Sequence, residues 1–551
     1  MDGYVHSRPL VLKEENVNSL DAIESMFDTI SYSKGASILF MVEEIMRTVP
    51  HIKKSFSTFK NHMQHWIRKN QFNIVNSNQW WHSVFPHTYE NVMNHQFTHQ
   101  NGYPVLCIDG NNVTSQFRYL YFQREEDGQK MDWKFPYVYS IYEISNAQNI
   151  TYQTKRIKLV KNVNAVLGDT SSALNSLIEL DNNSYRNNYK SNSTKYLTIL
   201  NPRSNGFFRV LYKDKSWKLI EEIFSELPCD TRTGILSDRA ALLTAGYLEE
   251  KEFQNFLALL MTESRMANSK KSCGIIWMVI CEEITPSLLD VWALSHQYSK
   301  LKTFLNTILN PVRFWPDLSG EQYITASDIE PASIGYDDNK ILSLLPPLVL
   351  PLSIQMNHSE SIGTALELFN ANIINGDTID AIFAALVVQS ANADHNDWID
   401  RLKNRKEMEH ILPDGGGWEH ALKALSCYAG FPMMVIESAT IGTGTYDMED
   451  MLNVLLGVPS CLKPEPAKET WLVVQFYWSS LEVLFGDGVT LGKLIEPIIK
   501  SIRDEDVCKD IETWIDDITN SPGELKESLL RGVEKCRGRV QIRNKLMTNN
   551  Y

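Results

Sequence analysis

The 551-residue chain is poor in cysteine, short of positive charge and without a long apolar run. Its eight cysteines (Cys107, Cys229, Cys273, Cys281, Cys427, Cys461, Cys508 and Cys536) are scattered and form no CxxC pair. That spacing argues against a zinc ribbon or a dense disulfide framework. Cys273 and Cys281 are close enough for one bridge in an oxidising compartment, but buried free thiols are the expected state. Lys and Arg number 53 against 67 Asp and Glu, a formal net charge of −14. Binding to nucleic acid requires clustered cations. The most basic stretches, 155–161 and 531–545, are short and read as solvated faces, so nucleic acid is not an expected partner. No run of about 20 apolar residues suits a membrane span. The nearest, 342–354, is too short and carries Pro346, Pro347 and Pro351. The opening MDGYVHSRPL lacks the basic and apolar regions of a secretory signal, and a cytoplasmic location is expected. There is no GxSxG elbow and no GxxxxGK[ST] loop.

What is present divides into three stretches. Residues 31–49 carry Ile38, Leu39, Met41, Val42, Ile45 and Met46 at helical spacing, with Asp28 or Ser31 as N-cap. A second amphipathic run covers 51–68, and a third helix opens near 78–84. After Gly102 the pattern changes to short β-branched and aromatic segments at 104–108, 113–122, 136–144, 150–160, 196–200 and 207–212. With no helix between them, they predict a small β-sandwich, and the polar stretch 181–194 predicts a loop. From Trp217 onward nearly everything reads as helix, broken at 413–417 and 463–466 and interrupted at 313–339. More than 300 residues of consecutive helices favour an α-solenoid of irregular HEAT-like pairs without a strict repeat. Five N-x-S/T sequons begin at Asn112, Asn149, Asn182, Asn192 and Asn357. So asparagine-rich a chain gives about that many by chance, and they carry no statement about secretion.

Four stretches carry a family resemblance: FDTISYSKGAS at 27–37, VM at 92–93 through QNGYPV at 100–105, NGFFRVLY at 205–212 followed by Trp217, and DRAALL at 238–243. A weaker likeness runs from Tyr477-Trp478 to Phe485-Gly486. In order and spacing they resemble the C-terminal half of gluzincin zinc aminopeptidases of the aminopeptidase N type; the family commonly has Trp where Phe97 stands. The resemblance implies an α+β multidomain chain. Its parts would be a helical remnant of a thermolysin-like catalytic domain (1–98), a β-sandwich (99–213) and a large α-solenoid (214–551).

The same resemblance places Tyr32 at the family's transition-state tyrosine, whose phenol donates to the oxyanion. Such a donor is worth about 3–4 kcal/mol at the transition state. The family's zinc sits on HExxH, where two His one turn apart bind the metal and the Glu is general base. Neither HExxH nor the family's substrate-binding GxMEN occurs in the 551 residues. Tyr32 is therefore expected to be orphaned, with no cofactor in this chain. His95 and His99 share a helical face with His87 and Glu90 nearby, and His62 and His65 form a looser pair. Zinc needs three or four converging ligands, so surface histidines are expected. The glycine turns at 442–445 (GTGT) and 486–488 (GDG) read as breakers, and the acidic run 504–506 as a helix N-terminus. The expected function is a non-catalytic aminopeptidase-like protein that binds peptides or a protein partner through a concave solenoid surface. The alternative is an incomplete form of an active zinc metalloaminopeptidase.

Overall fold

The structure is a computed structural model. It describes residues 3–4, 7–12, 17, 23, 26–48, 58–84, 94–110, 112–121, 133, 135, 137–145, 155–157, 194–267, 272–293, 295, 297–312, 345–371, 374, 376, 378–392, 397–412, 416–461, 463–486, 488–518 and 524–547. Two compact units are present, residues 1–239 and 240–551.

The first unit opens with a π-helical turn, Ile30–Lys34, that runs straight into an α-helix, Gly35–Thr48. Ile38, Met41, Val42, Ile45 and Met46 are buried as their spacing predicts, whereas Leu39 is exposed. A helical stripe is about 100° wide, and Leu39 falls beyond it with Phe40 and Glu43. Thr58 is extended and its hydroxyl accepts the Asn61 N–H at 3.1 Å. This cap starts a helix at Phe59 that runs to Asn70, and the first part of the expected run, 51–57, lies outside the described residues. The third is Ser77–Val84.

Six short strands follow: β1 (Pro104–Asp109), β2 (Asn112–Arg118), β3 (Tyr139–Ser145), β4 (Lys155–Ile157), β5 (Thr194–Leu200) and β6 (Arg209–Tyr212). They form two three-stranded sheets, ordered β2-β1-β6 and β4-β3-β5. Every pairing is antiparallel except β1 with β6, the first and last strands, which run parallel. The buried Tyr212 links the sheets: its hydroxyl donates to the Leu200 carbonyl and accepts the Leu200 N–H, both at 3.2 Å. The expected loop at 181–194 lies outside the described residues except for its last position.

Beyond Tyr212 the described residues contain helices and no strand. Together with the two small sheets this makes an α+β chain dominated by helix. Left-handed glycines stop two helices, Gly442 after Phe431–Ile441 and Gly486 after Trp478–Phe485. The acidic run behaves as expected: an Asp504 carboxylate oxygen accepts the Asp506 and Val507 N–H groups and caps Glu505–Ile518. The interruption at 313–339 lies outside the described residues.

Cysteine is where the expectation fails. Cys427 pairs with Cys461 and Cys508 with Cys536, with Cα separations of 5.3 and 6.1 Å. Cys427 and Cys461 follow the ends of helices Gly417–Leu425 and Met448–Gly457, and Cys508 and Cys536 lie on the successive helices Glu505–Ile518 and Glu524–Met547, a proximity that linear spacing does not reveal. Cys281 remains a free, buried thiol pushed up to about 12 by burial, so no Cys273–Cys281 bridge exists.

One carboxylate spans the second unit. Asp290, on helix Thr285–Trp292, receives Arg503 Nε at 3.1 Å and Arg539 Nε at 2.6 Å. Burial alone would push its pKa up, but Arg539, Arg503 and Lys535 hold it below the ordinary carboxylate value. Asp290→Ala leaves two buried guanidinium groups uncompensated and should cost about 3–5 kcal/mol at neutral pH. A depressed folded pKa gives stability that is full above the unfolded value near 3.9 and is lost as pH falls through the folded value. Denaturant titrations should therefore show the gap between wild type and variant narrowing in acid. A gap that widens there would reverse the assigned sign.

Candidate functional site

The four principal stretches quoted from the sequence meet around one open cleft of about 940 Å³ in the first unit. Thr29, Ser33, Lys34 and Ser37 come from the first, Tyr103 from the second, Phe207 and Arg209 from the third, and Asp238 from the fourth. The cleft is built from its N-terminal rim. Asp28 accepts the Ser31 N–H at 2.9 Å and so caps the first turn. Arg8 grips the same carboxylate with Nε at 3.1 Å and Nη2 at 2.6 Å, and donates to the Ser31 hydroxyl at 2.7 Å. This fork fixes where the helix begins.

Tyr32 lies in the π-helical turn that follows, a geometry found mostly as single-turn bulges and frequent at functional sites. Its side chain is 64% exposed, and its backbone N–H donates to the Asp28 carbonyl at 3.1 Å. Phe27, Leu39 and Phe40 are exposed as well. Two residues after Tyr32, Lys34 turns the other way and is 3% exposed. Its ammonium donates to the Gln100 and Gly102 carbonyls at 3.2 and 3.4 Å and lies 5.6 Å from the Phe207 ring centre.

The far wall is another ion pair. Arg209 Nη1 meets Asp238 Oδ1 at 3.1 Å, while Asp238 Oδ2 accepts the Val210 N–H at 3.0 Å. Arg209 also lies over the Tyr119 ring and reaches the Tyr103 hydroxyl. Sequence reasoning missed Lys34, Arg209 and Asp238 as organisers of the cleft. Each stood inside a quoted stretch, and the available signal was a charged residue set among residues that are otherwise apolar or small.

Chemically the cleft offers hydroxyls and fixed charges already paired to one another. The described histidines do not converge on one another with other metal-type ligands. His95 and His99 are exposed and stack with ring centres 6.2 Å apart, while His87 and Glu90 lie outside the described residues. His62 corrects the surface expectation: it is buried, its Nε2 is 3.2 Å from the Ser83 hydroxyl, and burial, then His65, lowers its pKa. His65 itself is exposed. Among the described residues no three His, Cys, Asp or Glu side chains converge as a metal would require. The donor set does not fit zinc, and no step through zinc is derived for these residues.

Comparison with known proteins gives two family matches. The ERAP1-like C-terminal domain matches residues 197–538, and the peptidase family M1 domain matches residues 1–99. Aminopeptidase A of Gloydius brevicauda is 26% identical over 396 residues, covering 70% of this chain and 35% of that protein. Glutamyl aminopeptidase of Homo sapiens is 24% identical over 377 residues, covering 67% and 33%. Aminopeptidase M1-A of Oryza sativa subsp. japonica is 21% identical over 565 residues, covering 99% and 55%. The chain thus spans between about a third and about half of the length of the curated relatives it matches.

Exposure of Tyr32 sets an expectation for substitution. Tyr32→Phe removes a solvent-facing hydroxyl and should change stability by less than about 0.5 kcal/mol. Asp28→Ala, by contrast, removes a helix cap and the partner of Arg8, and should cost about 1–2 kcal/mol. Equal losses in thermal unfolding would place the Tyr32 hydroxyl in a buried bond.

Proposed function

The chain belongs to the M1 aminopeptidase family, and from that premise we propose that it acts as a non-catalytic module binding peptides or a protein partner through its helical part. In this reading residues 1–98 are the helical end of a thermolysin-like domain, 99–213 a β-sandwich and 214–551 an α-solenoid with a concave binding face. The absence of HExxH and GxMEN from the sequence supports the non-catalytic part.

The observation that carries the binding part is an apolar strip in the second unit. Helices Phe431–Ile441 and Glu465–Phe476 pack side by side and are pinned at both ends. Glu469 accepts the Gly430 N–H at 2.8 Å, and the Tyr477 hydroxyl reaches Glu437 at 3.5 Å. On their outer faces Met433, Met434, Leu472 and Phe476 are exposed, continued by Val483 and Leu484 on the next helix. Phe476 is 80% and Val483 81% exposed. Large apolar side chains clustered in this way mark interaction surfaces more often than inert ones.

A second reading has one observation in its favour. Phe27, Tyr32, Leu39 and Phe40 are exposed together in the first unit. There, the chain would be the C-terminal part of an active zinc metalloaminopeptidase that removes N-terminal residues, and this face would pack on the metal-bearing part.

Titration of the full chain with fluorescent peptides separates these readings. Saturable binding is expected, weakened about tenfold or more by Phe476→Ala or Val483→Ser, the scale of an interface hot spot. Binding that ignores both changes would move the site away from the strip. Stoichiometric zinc with chelator-sensitive hydrolysis of aminoacyl amides would overturn the non-catalytic reading.

A further inference from the structure

Asn357 occupies the tight turn between helices Leu345–Gln355 and Ser359–Asn370. Its φ of +61° is left-handed. The turn closes with the His358 N–H donating to the Ser353 carbonyl at 3.0 Å and the Asn357 N–H to Ile354 at 2.8 Å, in the manner of a Schellman cap. Asparagine tolerates this conformation better than most residues, which accounts for its presence at the corner. It does not account for the rest of the arrangement.

Ser359, two residues on, completes an N-x-S sequon and is exposed. Its hydroxyl is not the cap of the helix it begins, because His358 Nδ1 takes that place by accepting the Ser361 N–H at 3.2 Å. The Asn357 side chain is exposed and makes no hydrogen bond. Beside the turn runs an open groove of about 1030 Å³, lined on helix Tyr298–Leu309 and just beyond it by Lys302, Thr303, Asn306, Thr307 and Asn310. That lining is hydroxyl, amide and ammonium, the groups that hydrogen-bond sugar hydroxyls. A further observation is independent of the turn. The same unit holds the Cys427–Cys461 and Cys508–Cys536 disulfides, and disulfides form and persist in oxidising compartments such as the endoplasmic reticulum lumen. Asparagine glycosylation takes place in secreted proteins on surface loops of this kind.

We propose that Asn357 is an acceptor for an N-linked, N-acetylglucosamine-based glycan, and that the helical unit matures in an oxidising compartment rather than in the cytoplasm. In the transfer, Asn357 Nδ2 forms a bond to the anomeric carbon of a lipid-diphosphate-linked oligosaccharide. The C–O bond to the diphosphate breaks, the diphosphate leaves with the electron pair, and one amide proton passes to the base of the transferase. Of the five sequons, Asn357 is the acceptor whose side chain lies among the described residues; chance occurrence explains the motif but not an unbonded amide at an exposed corner beside a polar groove.

The test is site-resolved mass spectrometry of the full chain expressed behind a secretory leader in eukaryotic cells, read in both microsomal and secreted fractions. After peptide-N-glycosidase treatment in heavy-oxygen water, the Asn357 peptide is expected as labelled aspartate. Ser359→Ala should abolish that label and Ser359→Thr should retain it. Asn357→Asp keeps a residue tolerant of the left-handed turn, so its loss of label reads the acceptor and not misfolding. Unmodified Asn357 in folded, disulfide-bonded wild-type chain overturns the proposal, as does labelling that survives Ser359→Ala.

Discussion

The second unit depends on a half-buried carboxylate, Asp290, held between two buried arginines. Asp290 lies 213 residues before Arg503 and 249 before Arg539. Closing loops of that length is entropically unfavourable, and a buried charge is tolerated only when its partners and their geometry are right. Arg503 and Arg539 are 5% and 6% exposed and approach the two oxygens separately. Arg539 also donates to the Ile502 carbonyl and Arg543 to the Arg503 carbonyl, so the end of one helix is fastened to the next as well. Glu496 repeats the device between helices Gly488–Ser501 and Glu524–Met547. Burial disfavours its charge, yet Lys500 and Arg531 keep it ionised, and the Ser528 hydroxyl donates to it at 2.6 Å. Around both carboxylates the long helix Glu524–Met547 acquires a single register against Gly488–Ser501. Apolar contacts among Ile495, Ile499, Leu529 and Val533 supply the burial. The ion pairs select which burial occurs.

The first unit uses the same logic with the opposite charge. Lys34 is an ammonium deep enough to require partners, and it finds backbone carbonyls at Gln100 and Gly102. A long flexible side chain rather than packing alone therefore joins the opening helix to the segment that leads into β1. The parallel pairing of β1 with β6 closes the other side, and Asp238 then fixes β6 by accepting the Val210 N–H. Tyr32 points outward because Lys34 points inward. Two residues apart on a helical turn, the two side chains project to nearly opposite faces.

Much of this was legible in the sequence, and the failures share a cause. Periodicity located Gly35–Thr48 and its buried residues, and the family resemblance marked the segments that meet at the cleft. Helix breakers at Gly442 and Gly486 and the cap at Asp504 followed from local chemistry, which short windows encode well. What escaped was set by contacts distant in sequence. Alternation reports a strand but not whether its neighbour is parallel, so β1 with β6 was invisible. His62 looked like a polar residue on an amphipathic helix, but it is buried with Ser83 of the next helix against its ring. The disulfides were missed because they join residues 34 and 28 apart, on helices whose packing no spacing rule gives. Leu39 failed differently: it is apolar and helical, but one position outside the stripe.

The strip on the helical unit is best weighed by magnitude. Fully covering a phenylalanine or a valine contributes about 1.5–3 kcal/mol each, so Phe476 and Val483 together supply a few kcal/mol. Association itself costs an estimated 4–15 kcal/mol. Apolar cover from these two residues alone would leave binding weak, and Leu472 and the methionines must also be engaged for measurable affinity. Methionines adapt to differently shaped partners, which favours breadth over selectivity. Direction has to come from charge. Glu437 stands exposed beside the strip with only a long contact to the Tyr477 hydroxyl, and Glu482 is partly exposed nearby in sequence. A carboxylate next to apolar surface rewards a ligand that places an ammonium or guanidinium there, and it penalises one that places a carboxylate. A helical scaffold held by Asp290 and Glu496 needs no metal to present such a surface. The groups that fix the strip, Asp290 and Glu496 with their arginines, are the ones that set the register of the helices around it.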